Sequence, residues 1–325
     1  MAEILSLAGT NLISPIILSF VLGLAAALAR SDLTIPEAVA KGMSIYLLFA
    51  IGFKGGAAVA AHGVDATLLL AIAAGIILSF SLPFIAYAML RVLTRLSALD
   101  AAAVAAHYGS ISIVTFVAAT SVLEGRGIAF EGYMVAVAAA MEAPAILSAL
   151  WLVARNGSAG KMEPGLMREI LLNGSIVLLV GSFAIGLMTG EKGLAEIAPF
   201  IASPFKGVLC LFLLDMGLVA GRGLRQSSGV LGLGAIVFGI VMPVAGAVLG
   251  LGFGVAIGLS LGGVVLMMVL AASASYIAVP AAMRVALPEA DPAIYLTLSL
   301  GVTFPFNLTL GIPLYVALAT LIVGG

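Results

Sequence analysis

The stretches Gly109–Ser112 (GSIS) and Ala272–Ser275 (ASAS) are short polar interruptions within two long apolar segments. Both serines of the first stretch recur 163 residues later, Ser110 as Ser273 and Ser112 as Ser275. The shared offset predicts that the chain contains an internal duplication, with the two Ser-x-Ser stretches at equivalent places. Chance recurrence of Ser in apolar sequence of low diversity is the alternative.

Further residues recur at or near the same offset. Ser19, Phe20 and Gly23 are matched at 163 residues by Ser182, Phe183 and Gly186, and two looser pairs are Pro83 with Pro243 and Gly52 with Gly217. Weak internal similarity of this kind is typical of membrane transporters built from inverted repeats.

Composition places the chain in a lipid bilayer. Hydrophobic residues make up 63% and charged residues 9% of its 325 residues, and the mean hydropathy is +1.27. A spanning helix needs roughly 20 residues, so this length allows about ten spans and no separate water-exposed domain. We expect an all-α integral membrane protein with spans near residues 11–29, 43–60, 67–90, 99–122, 132–154, 169–189, 203–221, 230–250, 258–284 and 292–322.

Charge distribution predicts the orientation of these spans. With the N-terminus outside, ten of the fourteen Lys and Arg residues fall on the cytoplasmic side, which places both termini outside the plasma (inner) membrane. The first apolar run lacks a basic start, so it is interpreted as a span and not as a signal peptide. Because five spans per half is an odd number, the second repeat, residues 169–325, is inverted relative to the first, residues 1–155. A short cytoplasmic linker, residues 156–168, joins them.

The Ser-x-Ser stretches lie near the middle of the predicted membrane. Ser110 is about ten residues from Asp100 at the start of its span, roughly 15 Å into a core about 30 Å thick. Gly109 and Pro280 favour interrupted helices, whose free backbone amides and Ser hydroxyls suit a small oxyanion. No Lys or Arg lies near the middle of a predicted span, so such an anion would need a co-bound cation. Ser hydroxyls that bond back to their own helices are the alternative.

Two carboxylates, Glu142 and Asp215, lie well inside apolar runs and are candidate ligands of a hard cation such as sodium. A structural link to a neighbouring helix is the alternative for Asp215. Thr303 and Asn307 place oxygen atoms beside Pro305, where we expect broken backbone to favour sodium. His107 is interpreted as a hydrogen-bonded core histidine in preference to a proton relay.

The chain resembles the sodium-dependent bicarbonate transporters best known from photosynthetic bacteria. The resemblance rests on motifs spread over nearly the whole chain: Tyr46–Gly56, His107–Ser112, Met141–Ile146, Leu213–Gly217, Ser273–Pro280 and Gly301–Asn307. It implies ten spans in two inverted five-helix repeats, crossed discontinuous helices 4 and 9, a core domain moving against a gate domain, and a homotrimer. It also implies a PII-like regulatory protein on the cytoplasmic face, although residues 155–168 are short for a regulator-binding loop.

The resemblance also implies function. Bicarbonate would bind with sodium at the crossing of helices 4 and 9, with substrate-binding roles for Gly109, Ser110, Ser112, Ser273 and Ser275. The predicted activity is sodium-coupled symport of bicarbonate by an elevator-like mechanism. Transport of another small organic anion, as in the bile-acid transporter group, is the alternative, and a passive channel is a third reading. We expect neither an enzyme nor a nucleic-acid-binding protein, and no cofactor or metal besides the coupling sodium ion.

Overall fold

The computed structural model describes residues 13–63, 65–142, 144–155, 172, 174–226, 232–276, 279–280, 283, 287 and 289–324. Throughout these residues the regular secondary structure is helical. The predicted linker, residues 156–168, lies outside them.

Thirteen α-helices are labelled here in chain order. They are α1 Pro15–Leu28, α2 Glu37–His62, α3 Ala66–Leu93, α4 Ala98–Gly109, α5 Ile113–Gly125, α6 Met134–Ala140, α7 Pro144–Arg155, α8 Gly174–Ile201, α9 Phe205–Gln226, α10 Leu233–Ala256, α11 Leu261–Ala272, α12 Pro292–Leu296 and α13 Ile312–Val323. Eight helical segments of the described chain are long and apolar enough to cross a membrane, and α1 and α11 are shorter apolar helices.

Helices α4 and α11 end at the two Ser-x-Ser stretches. Each has 12 residues, and their bounds differ by 163 residues at both ends. Ser97 and Ser260 cap the N-termini by accepting hydrogen bonds from backbone N–H groups of the first turn, and extended residues Ser110 and Ser273 terminate the helices. A 12-residue helix is only about 18 Å long, so both helices stop inside a bilayer core about 30 Å thick. The interruption expected at Gly109–Ser112 is present.

Of the predicted spans 5 and 10, the first has an interrupted helical backbone and the second a continuous one. Span 5 is interrupted, because α6 ends at Ala140 and α7 begins at Pro144, which places Glu142 between them. Span 10 is continuous, and the expectation of broken backbone around Pro305 is wrong. Right-handed helical backbone runs on from α12 to α13 through two π-helical segments, Thr297–Thr303 and Asn307–Gly311. Pro305 lies in the short α-helical turn Phe304–Phe306 between them, and the wider π turns on either side accommodate it without a break.

Two helix pairs, α1 with α9 and α2 with α8, are held together by glycines. A methyl group at Gly23 would collide with the Leu214 carbonyl, and one at Gly217 would collide with the Phe20 carbonyl. The second pair has the same arrangement, since Gly186 meets the Phe53 carbonyl and Gly56 meets the Phe183 carbonyl. The recurrence of Phe20 and Gly23 as Phe183 and Gly186 therefore has a packing cause.

The matching contacts also correct one sequence pairing. Gly217 corresponds to Gly56, the glycine that meets the phenylalanine carbonyl in the second helix pair, and not to Gly52. Gly52 instead packs against Ser182 and the Leu179 carbonyl of α8.

Gly186→Ala is expected to lower the melting temperature of the detergent-purified protein, because the added methyl group forces α8 away from α2. Overpacking of this kind costs about 1–3 kcal/mol. Gly181→Ala on the same helix is the matched control, since a methyl group there meets no atom within 4 Å. Equal melting temperatures for the two variants would contradict the close crossing.

Candidate functional site

The two interrupted helices cross at their Ser-x-Ser stretches. The Ser275 N–H donates to the His107 carbonyl at 2.7 Å, and the Ser112 N–H donates to Ser273 Oγ at 2.9 Å. The His107 carbonyl is one of the last four of α4 and has no acceptor role within a continuing helix. Each interrupted segment thus satisfies backbone groups of the other where no bilayer water could do so.

Contacts at the N-terminal ends of α4 and α11 show that the two interrupted segments run antiparallel. Helix α11 begins beside the loop between α5 and α6, where Glu131 accepts from the Ser260 N–H at 2.7 Å and from Ser260 Oγ at 3.0 Å. Helix α4 begins beside Asp291, whose N–H donates to Asp100 Oδ1 at 3.0 Å. A carboxylate therefore lies at the N-terminus of each half-helix, where the helix dipole stabilises negative charge.

All four serines of the crossing are buried, and their hydroxyls have different partners. Ser110 Oγ donates to Glu142 Oε2 at 3.1 Å, and Ser273 Oγ donates to the Leu270 carbonyl at 3.0 Å. Ser112 Oγ accepts from the N–H and hydroxyl of Thr115, and Ser275 Oγ accepts from the Val279 N–H at 3.4 Å. The structure therefore brings together the four serines that the sequence singled out.

Gly109 packs against α3. A methyl group there would collide with the Pro83 ring and approach the Ser79 carbonyl, so the absence of a side chain lets α4 end against α3. Gly109 thereby sets the position of Ser110.

Glu142 is buried at the break in span 5 and faces the crossing through its bond to Ser110. The neighbouring Met141 carbonyl accepts from Ser79 Oγ at 2.6 Å, which ties the break to α3. Asp215 is also buried, but it lies on α9, in the helix pair formed with α1. No described hydrogen bond joins Asp215 to the crossing.

Thr303 and Asn307 both take part in protein hydrogen bonds. Thr303 Oγ1 donates to the Gly239 carbonyl at 2.7 Å and lies 2.6 Å from the Tyr108 hydroxyl. Asn307 Nδ2 donates to the Ala272 carbonyl at 2.8 Å, and its Oδ1 accepts from the Tyr315 hydroxyl. Asn307 therefore caps the interrupted end of α11, a contact that sequence reasoning could not locate.

His107 is the hydrogen-bonded core residue that was expected. Its ring is fully buried and stacks on Tyr295, with 4.5 Å between the centroids, and Nδ1 lies 2.7 Å from the Ala103 carbonyl. Nε2 has no partner among the described residues. Tyr276, which follows Ser275, was missed, although an aromatic residue with a polar tip beside the serine pair was a visible signal.

Lys54 lies inside α2, eight residues before its end, so one cation is closer to a span interior than the sequence suggested. Its ammonium is 4.6 Å from the centre of the Phe205 ring. No described contact links Lys54 to the crossing.

A cavity of about 420 Å³ opens near the start of α11 and not at the crossing itself. Its polar lining includes Asp65, Thr67, Glu131, Tyr133 and Ser260. Burial, followed by the nearby Glu131 and Asp65 carboxylates, raises the pKa of Tyr133 to about 12. The cavity therefore carries acidic groups at one end of the antiparallel segments.

A comparison with protein families matches residues 15–320 to the Na⁺-dependent bicarbonate transporter superfamily. The chain belongs to this superfamily. A search among curated proteins gives no match. Family membership and the apolar helices together make the protein a multi-pass, sodium-dependent membrane transporter.

Gly109→Ala is expected to lower the melting temperature and to impair transport, because the new methyl group pushes the end of α4 and Ser110 away from Pro83. The overpacking is worth about 1–3 kcal/mol. Gly125→Ala, at the end of α5 with no atom within 4 Å of the added methyl group, is the control for a Gly-to-Ala change. Wild-type stability and transport in Gly109→Ala would show that α4 does not rest on Pro83.

Proposed function

We propose that the protein carries bicarbonate together with sodium into the cell by an elevator-like, alternating-access movement. The observation that carries this proposal is the convergence of Ser110, Ser112, Ser273 and Ser275 at the crossing of two interrupted helices. Membership of the sodium-dependent bicarbonate superfamily supports the choice of substrate and coupling ion.

Bicarbonate binds, in this proposal, at Gly109, Ser110, Ser112, Ser273 and Ser275. Its planar oxyanion accepts from hydroxyls and from the first amides of the half-helix that follows Ser112, and its own O–H can donate to an oxygen. No Lys or Arg has a described contact at the crossing. Only helix dipoles and hydroxyl groups would therefore stabilise the negative charge of the anion.

Sodium supplies the missing positive charge, with Glu142, Asp215, Thr303 and Asn307 as proposed ligands. Glu142 is the most direct candidate, because its carboxylate already contacts Ser110. Two anions near each other in a buried site repel strongly, by several kcal/mol at about 4 Å and an effective dielectric constant near 20. A sodium ion between carboxylate and bicarbonate turns that repulsion into attraction, which is a physical basis for coupled transport.

The architecture we propose is two inverted five-helix repeats. The equal bounds and caps of α4 and α11 support it, as do the matching glycine contacts in the α1–α9 and α2–α8 pairs. The two glycine-packed pairs would form the gate domain, and the remaining helices would form the moving core. A homotrimer in the inner membrane, with both termini outside and a cytoplasmic PII-like regulator, completes the proposal.

Uptake of labelled bicarbonate into proteoliposomes tests this function. We expect saturable uptake that rises when an inward sodium gradient is imposed and falls when potassium replaces sodium. Uptake that ignores the sodium gradient would contradict symport, and unsaturable flux would favour a channel. Strong competition by an organic carboxylate but not by excess unlabelled bicarbonate would favour the organic-anion alternative.

Ser110→Ala combined with Ser275→Ala is expected to abolish this uptake while leaving a folded protein. Each substitution removes a hydroxyl and little volume. The measurements are initial uptake rate and melting temperature. Undiminished transport would assign the two hydroxyls to packing.

Glu142→Gln is expected to raise the sodium concentration for half-maximal uptake about tenfold or more. The amide oxygen still accepts from Ser110, but the charge that attracts sodium is gone, a loss of more than about 1.4 kcal/mol. The measurement is bicarbonate uptake as a function of sodium concentration. Glu196→Gln, an exposed position on α8, controls for charge removal, and an unchanged sodium dependence in Glu142→Gln would remove Glu142 from the ion site.

A further inference from the structure

Three hydroxyl donors remain available at the crossing after the hydrogen bonds between described residues are assigned. Ser110 and Ser273 give their protons to Glu142 and the Leu270 carbonyl. Ser112 and Ser275 accept hydrogen bonds at Oγ, but no described residue accepts from them. The third donor is the Tyr276 hydroxyl, which is buried and has no hydrogen-bond partner of regular geometry among the described residues.

The unpartnered phenol is unusual on physical grounds. A buried tyrosine hydroxyl nearly always has a hydrogen-bond partner, because an unsatisfied buried polar group carries a desolvation penalty. The Tyr276 ring itself is well packed, edge to face against Phe304 with 5.3 Å between centroids, and Phe304 in turn packs against Phe20. The ring therefore has a structural role that its hydroxyl does not share.

The position of this hydroxyl is at the serine cluster. Tyr276 directly follows Ser275, and its hydroxyl faces the Ser112 side chain in a contact too loose to meet hydrogen-bond geometry. The Tyr276 and Ser112 donors consequently lie side by side, one from each interrupted segment. Two adjacent donors from opposite segments suit the two oxygens of one planar oxyanion.

We propose that Tyr276 is a substrate-binding residue whose phenol hydroxyl donates a hydrogen bond to the transported oxyanion, alongside the hydroxyls of Ser112 and Ser275. The proposal rests on the function proposed above and divides the serines by role. Ser112 and Ser275 donate to the anion with Tyr276, whereas Ser110 and Ser273, whose protons go to Glu142 and the Leu270 carbonyl, can only accept from its O–H.

Tyr276→Phe tests this role because it removes only the hydroxyl and leaves the ring against Phe304. We expect the KM for bicarbonate in proteoliposome uptake to rise about ten- to a hundredfold, the range for one lost hydrogen bond to a charged ligand. The melting temperature without bicarbonate is expected to equal or exceed that of the wild type, because no protein hydrogen bond is lost. The increase in melting temperature on adding bicarbonate with sodium should shrink.

Tyr46→Phe is the matched control. The Tyr46 hydroxyl donates to the Phe200 carbonyl at 2.6 Å and joins α2 to α8. Its loss is expected to lower the melting temperature and to leave the KM for bicarbonate unchanged. The two Tyr-to-Phe variants thus have opposite signatures in stability and affinity.

Two results would overturn the role of Tyr276: an unchanged KM, whatever the melting temperature, or failure of Tyr276→Phe to fold. The last counts against the proposal because an unpartnered hydroxyl cannot be required for folding. In each case the wild type still shows sodium-driven bicarbonate uptake. Absence of that uptake in the wild type would instead contradict the proposed function itself.

Discussion

The backbone of an interrupted helix must find hydrogen-bond partners inside apolar surroundings, and the rest of this structure depends on how that is achieved. In hydrocarbon each unsatisfied N–H or C=O group costs several kcal/mol. Here the extended residues after α4 and after α11 solve the problem jointly. The Ser275 N–H reaches the His107 carbonyl, and the Ser112 N–H reaches Ser273 Oγ. Neither segment could stop in mid-membrane without the other.

This joint solution has a chemical consequence. Asn307 donates a hydrogen bond to the Ala272 carbonyl at the end of α11, and Ser112 caps the start of α5. With those groups satisfied by protein, the donors left over at the crossing are side-chain hydroxyls and the remaining first amides of α5. In the proposed function, a site built from hydroxyls and amides is neutral overall, so it can release its anion as well as bind it. Glu142 would make the empty site favourable to a cation, and in the proposed function anion binding then depends on that cation being present.

The sequence predicted only those parts of this arrangement that depend on local residue patterns. Gly109 and the Ser-x-Ser stretches marked the interruption, because Gly and Ser favour helix ends and caps. The 163-residue offset predicted which segments correspond, and the glycine contacts supply its physical cause. The break expected at Pro305 is absent, because the backbone on either side of it widens into π turns and stays helical. The contacts of Asn307 with Ala272 and of Ser110 with Glu142 join distant segments, and no local pattern specifies them.

Calorimetric titration of the purified protein with bicarbonate, in sodium and then in potassium, tests most directly whether the crossing holds an anion only beside a cation. The account predicts measurable bicarbonate affinity in sodium and a loss of at least about tenfold in potassium. By reciprocity, bicarbonate should strengthen sodium binding by the same factor. Equal bicarbonate affinity in both salts would contradict it, because the hydroxyls and amides would then suffice to hold the anion alone.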